Sequence, residues 1–505
     1  MGDEVDYTPV LNWARRQDPV RWALGGMMAV WALTFIALGW IRHSRFTTYG
    51  YDLGIYDQAI WLLSRFHSFI TVRGLPVFGN HATLILLALV PFYWLGAGPI
   101  FLLVVQVAAQ ASGAAAAYLL ARDRLGDRAL ALLVAAALLL NPTYQYLTWE
   151  FFHPDAIAAA ALLFACWAAF ARRWWVFAVT AVVAVACKED VALAVAGLGV
   201  LICLRTREAA PDESRRHDLQ IGLITAGAAV LWYLIATRLV IPVALGGHAP
   251  FYEAFFPDFG RTSGEVLRHI VTRPSTVWNL VTKPDRLTYY RRLLVPFALL
   301  AIVGWRPLLL LAGPALVVNA LTSATFARDY RYHYSAIIVA ALTVATVEAI
   351  AVLGRTASVR RFLTGSLAAV ALATTVAWGP SPIGVAFHSG IWPLDAGSLP
   401  AVKASAVASI PADAVVSASY NLVPHLTHRE RIYQYPEPWF VFNWGIDGVG
   451  MPDPQTVQWL VIDRSTLATD RERAQLDDLL HDEFDIRFAQ HDVVVAQRRA
   501  VPSRG

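Results

Sequence analysis

The chain has 505 residues, of which 57% are hydrophobic and 15% are charged, and its formal net charge is +4. Because soluble proteins carry roughly 25% charged residues, this composition excludes an ordinary soluble domain and indicates a protein with many membrane spans. The cysteines Cys166, Cys187 and Cys203 lie in apolar stretches, so neither a disulfide framework nor a thiolate metal site is predicted. No phosphate-binding glycine motif precedes a helix in a polar segment, and basic residues are spread over several loops, which argues against a nucleotide-driven motor and against nucleic-acid binding.

Apolar stretches of roughly 18 to 20 residues, the length that crosses a bilayer as a helix, recur along the chain. They predict about eleven transmembrane helices, at residues 21–41, 99–120, 129–140, 156–171, 174–187, 191–204, 219–240, a tight pair around 304–307, 335–353 and 362–378. Arginines gather in alternate turns, at residues 15–21, 122–128, 172–173, 205–216 and 355–361. The positive-inside rule places these turns in the cytoplasm, so the N-terminus is predicted to be cytoplasmic and the C-terminus extracytoplasmic.

Two long loops are predicted on the outer side, at about residues 42–98 and 241–292. The first contains two predicted helices, at about residues 53–66 and 81–95, of which the second is either another surface helix or a shallow re-entrant one. The first of these two helices is expected to be amphipathic and to lie on the membrane surface. The second loop contains prolines and aromatic residues that suit further short helices.

From residue 380 onward the pattern changes to short alternating apolar segments. Strands are predicted at residues 414–419, 432–435, 458–463, 484–488 and 492–496, and a helix at 471–481. The predicted fold is therefore an α-helical polytopic membrane protein with a transmembrane domain at residues 1–380 and a small extracytoplasmic α/β domain at 381–505.

Polar clusters interrupt the apolar pattern, and all of them fall on the predicted outer side. They lie at residues 51–58, 79–81, 150–155, 188–190 and 328–334. Polar loops scattered over both sides of the membrane would not indicate a function. Acid and histidine clusters on one side predict a single extracytoplasmic site built over the membrane helices, since ionisable groups beside spanning helices are usually functional.

The acids of the first cluster, Asp52 and Asp57, closely follow the first predicted span. One interpretation is structural: Asp52 caps the surface helix, and Asp57 lies on its water-facing side. The other is catalytic: a carboxylate at the membrane surface takes the proton from an acceptor hydroxyl as that oxygen attacks a sugar carbon. The sequence leaves open which of the two acids would serve as the base.

Glu150, His153 and Asp155 surround a proline at a predicted helix start. In the structural interpretation, Asp155 stabilises the helix N-terminus and His153 packs among neighbouring phenylalanines. Taken with His81 and His333, the cluster also has the carboxylate and imidazole groups that bind divalent cations. A cation held by His81, Glu150, His153 and Asp155 is therefore a candidate, although no spacing here is diagnostic of a metal.

Lys188, Glu189 and Asp190 lie where two apolar stretches meet. Ionisable groups in this position are costly and usually functional. Lys188 is suited to neutralise a phosphate, with Glu189 or Asp190 orienting it. The structural alternative is a loop in which the lysine and an acid pair with each other.

The last cluster interleaves arginines with aromatic residues. Arg328 and Arg331 carry guanidinium groups that bind phosphate through two hydrogen bonds, and Tyr332 and His333 stand beside them. This pattern predicts a phosphate site. The alternative is an aromatic belt at the membrane interface, with arginines that extend to water.

Over nearly its whole length the chain resembles a bacterial membrane family called domain of unknown function 2079. The resemblance rests on the ordered motifs at residues 51–58, 80–81, 152–155, 188–190 and 331–334. The layout of that family is similar to the GT-C glycosyltransferases, which have many membrane helices, a long first outer loop and a catalytic acid shortly after the first span. The resemblance implies that Asp52, with Asp57 close behind it, occupies the position of that acid.

The resemblance implies a glycosyltransferase of the bacterial plasma membrane that moves a sugar from a polyprenyl-phosphate-linked donor to an envelope glycan or protein. Lys188, Arg328 and Arg331 would stabilise the leaving lipid phosphate, and the C-terminal domain would hold the acceptor. A divalent cation is the one candidate cofactor. Two alternatives stay open: a transporter or flippase of a lipid-linked glycan, which should have polar residues at mid-membrane and an inverted repeat, and a non-catalytic envelope assembly protein.

Overall fold

A computed structural model describes most of the chain, namely residues 18–208, 214–248, 255–260, 262–395, 397–445 and 450–500. A helical region runs to Trp378 and is followed by a small domain built on a β-sheet. The two parts adjoin near the point where the apolar pattern of the sequence changes.

The first part of the chain forms a series of helices joined by short turns. In chain order these are α1 (Pro19–Ser44), α2 (Ile55–Leu63), α3 (Val77–Asn80), α4 (Ile85–Trp94), α5 (Pro99–Leu125), α6 (Arg128–Leu139), α7 (Pro142–Trp149), α8 (Pro154–Phe170), α9 (Trp174–Cys187) and α10 (Val191–Glu208). A small antiparallel hairpin of β1 (Phe69–Ile70) and β2 (Leu75–Pro76) lies in the first loop. The predicted second helix of that loop is confirmed as α4.

Local chemistry sets the helix boundaries. The Asp18 carboxylate accepts a hydrogen bond from the Val20 N–H at 3.1 Å, and Asp127 and Asn141 cap α6 and α7 in the same way. Such caps satisfy N–H groups that have no partner within the helix. Gly126 adopts a φ of 69° and ends α5, because glycine takes the left-handed conformation without strain.

The second part continues with helices of mixed length. They are α11 (Arg215–Ile235), α12 (Ile241–Ala244), α13 (Ser263–Thr272), α14 (Pro274–Val281), α15 (Pro284–Leu294), α16 (Trp305–Pro307), α17 (Gly313–Leu321), α18 (Ala336–Leu353) and α19 (Ala357–Trp378). The short helices α13, α14 and α15 confirm the prediction for the second long loop.

Within the described residues, five helices are long and apolar enough to cross a membrane. They are Pro19–Ser44, Pro99–Leu125, Arg215–Ala244, His333–Leu353 and Ala357–Trp378. A sixth span results if α6 and α7, which are bent by 47° relative to each other, cross as one unit. Since α8, α9 and Trp305–Leu321 are apolar but shorter, the predicted number of about eleven spans stays a prediction.

The chain before Gly304 departs from the predicted pair of spans. Two short 3-10 turns, Val295–Phe297 and Leu300–Ile302, replace a continuous helix. Ala298 and Leu299 lie between these turns with positive φ values of 51° and 59°, and a proline in the first turn has no N–H to donate. The predicted helix before residue 304 is therefore wrong as a continuous span.

Two helices form the centre of the bundle. α8 and α18 are apolar on every side and are buried along most of their length, as expected for helices in a core. The alanine side chains of α8 are small and allow α5 and α9 to pack closely against it. At the periphery, α1, α11 and α19 expose apolar side chains such as Leu33, Ile224 and Phe362, which suits a lipid-facing surface.

One end of the bundle carries arginine–carboxylate pairs. Arg124 and Arg205 contact Glu348 at 3.0 and 2.8 Å, and Arg172 contacts Asp218 at 2.6 Å. These residues adjoin the ends of α5, α10, α18, α8 and α11. The arginine-rich turns of the sequence therefore meet at one end of the bundle, and the polar clusters follow the opposite helix ends.

The C-terminal domain has the predicted α/β composition. Its elements are α20 (Leu399–Ala408), β3 (Val416–Ala418), β4 (Ile432–Gln434), β5 (Trp459–Asp463), α21 (Asp470–Asp482), β6 (Phe484–Gln490) and β7 (Val493–Arg498). The sheet has the order β4-β3-β5-β7-β6, in which the first three strands are parallel and the last three antiparallel. The five predicted strands and the predicted helix are confirmed to within a few residues, whereas α20 was not predicted.

The helix α2 lies between the bundle and the C-terminal domain. The sequence predicted an amphipathic surface helix over residues 53–66, but Asp57 and Gln58 are both completely buried, with 0% exposure. The Gln58 amide donates to the Arg429 carbonyl at 3.3 Å, and the Thr427 hydroxyl donates to Asp57. The expectation of a water-facing Asp57 is wrong, because a domain far along the chain covers this face.

Candidate active site

The five polar clusters meet at the end of the bundle opposite the arginine pairs. We use the name cavity cluster for the side chains that make direct contacts there, namely Asp52, His81, Glu150, His153, Asp155, Lys188, Glu189, Asp190 and His333. They come from five separate segments, so the fold brings together residues that are far apart in sequence.

One line of contacts runs from the first loop to the turn between α9 and α10. Asp52 Oδ1 lies 3.5 Å from His153 Nε2, and His153 Nδ1 lies 2.8 Å from Asp155 Oδ2. The ammonium group of Lys188 lies 3.5 Å from Asp155 Oδ1 and 3.6 Å from Asp190 Oδ2. The single lysine of the cluster is thus held between two carboxylates.

Two histidine–glutamate pairs complete the cluster. His81 Nδ1 lies 2.8 Å from Glu189 Oε1, and the Ala82 N–H donates to the other oxygen of Glu189 at 3.1 Å. His333 Nδ1 lies 2.7 Å from Glu150 Oε1, and the His333 N–H donates to Glu150 Oε2. Each glutamate therefore contacts one imidazole ring with one oxygen and a nearby backbone N–H with the other.

A polar residue inside a spanning helix supports this arrangement. The imidazole rings of His153 and His333 stack with their centroids 3.3 Å apart. The Gln106 amide of α5 donates to the Phe151 carbonyl at 2.6 Å, and its oxygen accepts from the His153 N–H. Gln106 was missed at the sequence level, although buried amides within an apolar span, here Gln106 and Gln110, were a usable signal.

Asp52 has an unusual backbone conformation. It lies in the turn between α1 and α2 with φ 61° and ψ −83°, a region that residues other than glycine rarely occupy. Its side chain is 18% exposed, and the neighbouring Tyr51 is 42% exposed. Strained residues of this kind persist where the surroundings hold them, and they concentrate at functional sites.

A cavity of about 520 Å³ lies beside the cluster, within the usual range for ligand pockets of roughly 300–1,000 Å³. Its polar end is formed by His81, Asp155, Lys188, Glu189, Asp190 and Tyr334. The rest of the wall is mainly apolar and comes from α10, α11, α13 and α17. Asn319 and Thr322 also line it and were not predicted as site residues.

Burial and charge set the protonation of the basic groups. Burial lowers the pKa of Lys188, but the carboxylates of Asp155 and Asp190 outweigh this effect, and the net pKa lies well above its usual value. Burial also lowers the pKa of His153, but its contacts with Asp155 and Asp52 leave the net pKa raised. Both groups are therefore favoured as cations.

The pKa values of Glu150 and Glu189 are shifted in opposite directions. Burial, followed by the charge of Asp52, raises the pKa of Glu150 well above its usual value, which favours the protonated carboxyl. Burial raises the pKa of Glu189 as well, but His81 outweighs it and the net pKa is lowered. Protonation at Glu150 reduces the negative charge of the cluster, which would otherwise oppose an anionic ligand.

A divalent cation would have ligands in this cluster. Among the described residues, His153, Asp155 and His333 offer ligand atoms within 4.8 Å of one another. The predicted set differs from this group, because His81 contacts Glu189 and the predicted ligand Glu150 contacts His333. Nitrogen and oxygen ligands of this kind suit zinc and similar ions.

The remaining predicted phosphate ligands lie elsewhere. Arg328 contacts Asp285 at 3.0 Å and donates to two backbone carbonyls, and Arg331 makes a two-pronged contact with Asp329. These two arginines and Tyr332 are outside the described wall of the cavity. Lys188 lies in that wall, and no arginine is among the described residues that line it.

Asp57 is also separate from the cavity. It accepts a hydrogen bond from the Tyr93 hydroxyl at 2.5 Å and another from the Thr427 hydroxyl. His428 Nε2 lies 3.2 Å from the same carboxylate. The two candidate acids of the first loop therefore have different surroundings: Asp52 contacts the cavity cluster, and Asp57 contacts the C-terminal domain.

The family described as predicted membrane protein, domain of unknown function 2079, matches residues 42–495 of the sequence. The chain belongs to this family. Comparison with curated proteins found no match. The resemblance inferred from the ordered motifs is thus confirmed at the level of the family.

The chain is similar to several solved structures. ArnT from Cupriavidus metallidurans bound to undecaprenyl phosphate is 13% identical, with a TM-score of 0.51 over 94% of this chain and 98% of that chain. Its apo state is 15% identical, with a TM-score of 0.49 over 93% and 98%. An Archaeoglobus fulgidus oligosaccharyltransferase in complex with Zn and sulfate is 13% identical, with a TM-score of 0.39 over 87% and 68%. The first comparison shows a GT-C-type membrane fold and nothing about activity.

Proposed function

We propose that the protein is a glycosyltransferase that moves a sugar from a polyprenyl-phosphate-linked donor to an envelope glycan or protein. The observation that carries the proposal is the cavity of about 520 Å³, which joins a lysine held among carboxylates to an apolar groove between helices. A phosphate head group attached to a long hydrocarbon chain has the same division into one charged and one apolar end. The fold shared with ArnT bound to undecaprenyl phosphate is consistent with a ligand of this class.

The apolar end has room for part of a lipid chain. A second cavity of about 340 Å³ has a wall of apolar side chains, apart from Tyr290, and shares Ile270 and Val317 with the first. The two cavities lie between the short helices of the second loop and the membrane helices. We assign them to the hydrocarbon chain of the donor, whose phosphate lies near Lys188.

Asp52 is assigned as the general base. Its partly exposed side chain contacts Nε2 of His153, whose Nδ1 contacts Asp155 in the cavity wall, and the acceptor approaches it from the aqueous side. The acceptor oxygen loses its proton to Asp52 and bonds to the sugar carbon, while the bond from that carbon to the phosphate oxygen breaks. The polyprenyl phosphate leaves with the electron pair, and the ammonium of Lys188 stabilises the new charge.

The site is assigned to the outer face of the bacterial plasma membrane. The arginine pairs at the opposite end of the bundle support this, because cytoplasmic loops carry an excess of arginine and lysine. The N-terminus is then cytoplasmic and the C-terminal domain extracytoplasmic. Labelling of a cysteine introduced at Ser409 from outside intact spheroplasts is expected, and labelling only after permeabilisation would reverse the assignment.

A divalent cation is a further candidate component. His153 in its neutral form, Asp155 and His333 would hold it, so that binding would displace the proton of the imidazolium, and it would add positive charge beside the leaving phosphate. Removal of metal with a chelator should then lower transfer, and re-addition of Zn²⁺, Mn²⁺ or Mg²⁺ should restore it. Transfer that survives the chelator would exclude this component and leave the rest of the proposal intact.

The test uses the full-length protein in lipid vesicles with polyprenyl-phosphate-linked sugars and envelope acceptors. Wild-type protein should release polyprenyl phosphate and glycosylate an acceptor. Glu348→Gln, at the arginine end, should act as a matched control with unchanged transfer. Absence of transfer with every donor would reject the proposal, and movement of a lipid-linked sugar across the vesicles without transfer would favour a flippase.

A further inference from the structure

A segment of the C-terminal domain packs directly on the Asp52 turn. We use the name docking segment for residues 420–430. The Tyr420 carbonyl accepts a hydrogen bond from the Gly50 N–H at 2.6 Å, which ties the start of the turn to the domain. Further along the segment, the Thr427 hydroxyl donates to the fully buried Asp57.

The docking segment packs closely against two glycines of the turn. A Cβ placed on Gly54 would lie 3.2 Å from Val423 Cγ1, and one placed on Gly50 would lie 3.1 Å from the same side chain. Gly54 has an ordinary helical φ of −65°, so its backbone conformation does not demand glycine. A methyl group at Gly54 would therefore require Val423 or the turn to shift by a few tenths of an ångström.

The turn is held from two sides. His153 contacts the Asp52 carboxylate from the membrane domain at 3.5 Å, and the docking segment contacts the backbone on either side of Asp52. A φ of 61° at a residue other than glycine is stable only where its surroundings impose it. Asp57 lies at the start of the helix that follows the turn, and Tyr93 and Thr427 hold its carboxylate.

We infer that the docking segment is a positioning element for the general base, with Val423, Thr427 and Asp57 holding the Asp52 turn in its reactive conformation. This inference rests on the proposed function and deepens it. The C-terminal domain then completes the active site, whether or not it also binds the acceptor. Val423, Thr427 and Asp57 act through Asp52 and do not touch the reacting atoms.

The decisive experiment is a rescue. Gly54→Ala introduces a methyl group against Val423, and alanine is compatible with the helical backbone at this position, so the protein should fold. Misplacement of a reacting group by about 1 Å costs roughly 100-fold in rate, so a shift of a few tenths of an ångström should lower kcat by about 5- to 10-fold. The KM for the donor should not change. Addition of Val423→Ala removes the clash and should restore most of kcat.

Two matched comparisons separate positioning from general damage. Gly365→Ala places a methyl group where nothing lies within 4 Å and should keep wild-type kcat. Thr427→Val loses the hydroxyl that donates to Asp57 and should lower kcat, whereas Thr427→Ser keeps a hydroxyl and should restore it. Hydrogen exchange of the peptide covering residues 49–58 reports the turn without any need for activity.

The outcomes are distinguishable. Faster exchange and lower kcat in Gly54→Ala, both reversed by Val423→Ala, support the inference. Wild-type kcat and exchange in Gly54→Ala, or a defect that Val423→Ala does not reverse, would overturn it. If the wild type transfers no sugar, the proposed function fails, and the exchange measurements alone decide whether the docking segment holds the turn.

Discussion

Two regions of the first loop contain one candidate acid each, and they differ in almost every physical respect. Asp52 is partly exposed, has a strained backbone and lies 3.5 Å from one imidazole. Asp57 is completely buried, has a helical backbone and is surrounded by Tyr93, Thr427 and His428. A carboxylate without a full set of donors can accept a proton from a substrate, whereas a carboxylate with all its donors in place stabilises structure.

The basic side chains that were predicted to bind phosphate also differ in their surroundings. Lys188 lies in the wall of the cavity between acids of the cavity cluster, whereas Arg328 is paired with Asp285 and with backbone carbonyls. Both residues were predicted to bind phosphate. The difference shows that a basic side chain is a candidate phosphate-binding group only where the fold leaves a cavity beside it.

The largest expected effect is that of Asp52→Asn. Removal of a general base should lower kcat by roughly 10²- to 10⁴-fold, even at saturating donor. Folding should be unaffected, because asparagine tolerates positive φ about as well as aspartate. Initial rates in vesicles, with thermal unfolding as the control, check this. Wild-type turnover in Asp52→Asn would show that Asp52 is not the base and that the two acids do not differ in the proposed way.

Lys188→Met should have the next largest effect. Loss of the charge that we propose stabilises the leaving phosphate should lower kcat by roughly 10²- to 10³-fold. Arg331→Met is the matched control, since Arg331 is 42% exposed and paired with Asp329, and it should retain activity to within about 2-fold. A larger loss for Arg331→Met than for Lys188→Met would show that the wrong cation has been assigned.

Asp57→Asn should show the reverse of the pattern expected for Asp52→Asn, namely a loss of stability with a smaller loss of kcat. Loss of hydrogen bonds to a buried charged group should lower the free energy of unfolding by roughly 1.5–3 kcal/mol, with a smaller loss of kcat through the turn. Chemical denaturation in detergent measures the first effect and initial rates the second. Normal stability combined with complete loss of transfer would identify Asp57 as the base instead.

The smallest expected effect concerns pH. The pKa of His153 is raised above its usual value of 6.5, so the stability contributed by its imidazolium is fully present below pH 6.5. It is lost as the pH rises through the higher pKa of the folded state. The unfolding midpoint of the wild type should therefore fall slightly across this window. His153→Gln should lack this dependence, and an equal fall in the variant would assign it to another group.

Much of the architecture was predictable because its signals are local. Apolar length identifies spanning helices, arginine placement identifies one end of the bundle, and alternation predicted all five strands of the C-terminal sheet. The helix before Gly304 was not predictable in this way, since hydropathy does not detect the break at Ala298 and Leu299.

The sequence by itself determined the class of protein, the segments that carry the ionisable clusters and the placement of these clusters on one side. Only the tertiary structure decided which members of those segments share a site. The reason is physical: the surroundings of a charged group depend on residues far away in the chain. Thr427, 370 positions from Asp57, buries that acid, and His153 makes Asp52 part of the cavity cluster, although no local pattern around either aspartate encodes the difference.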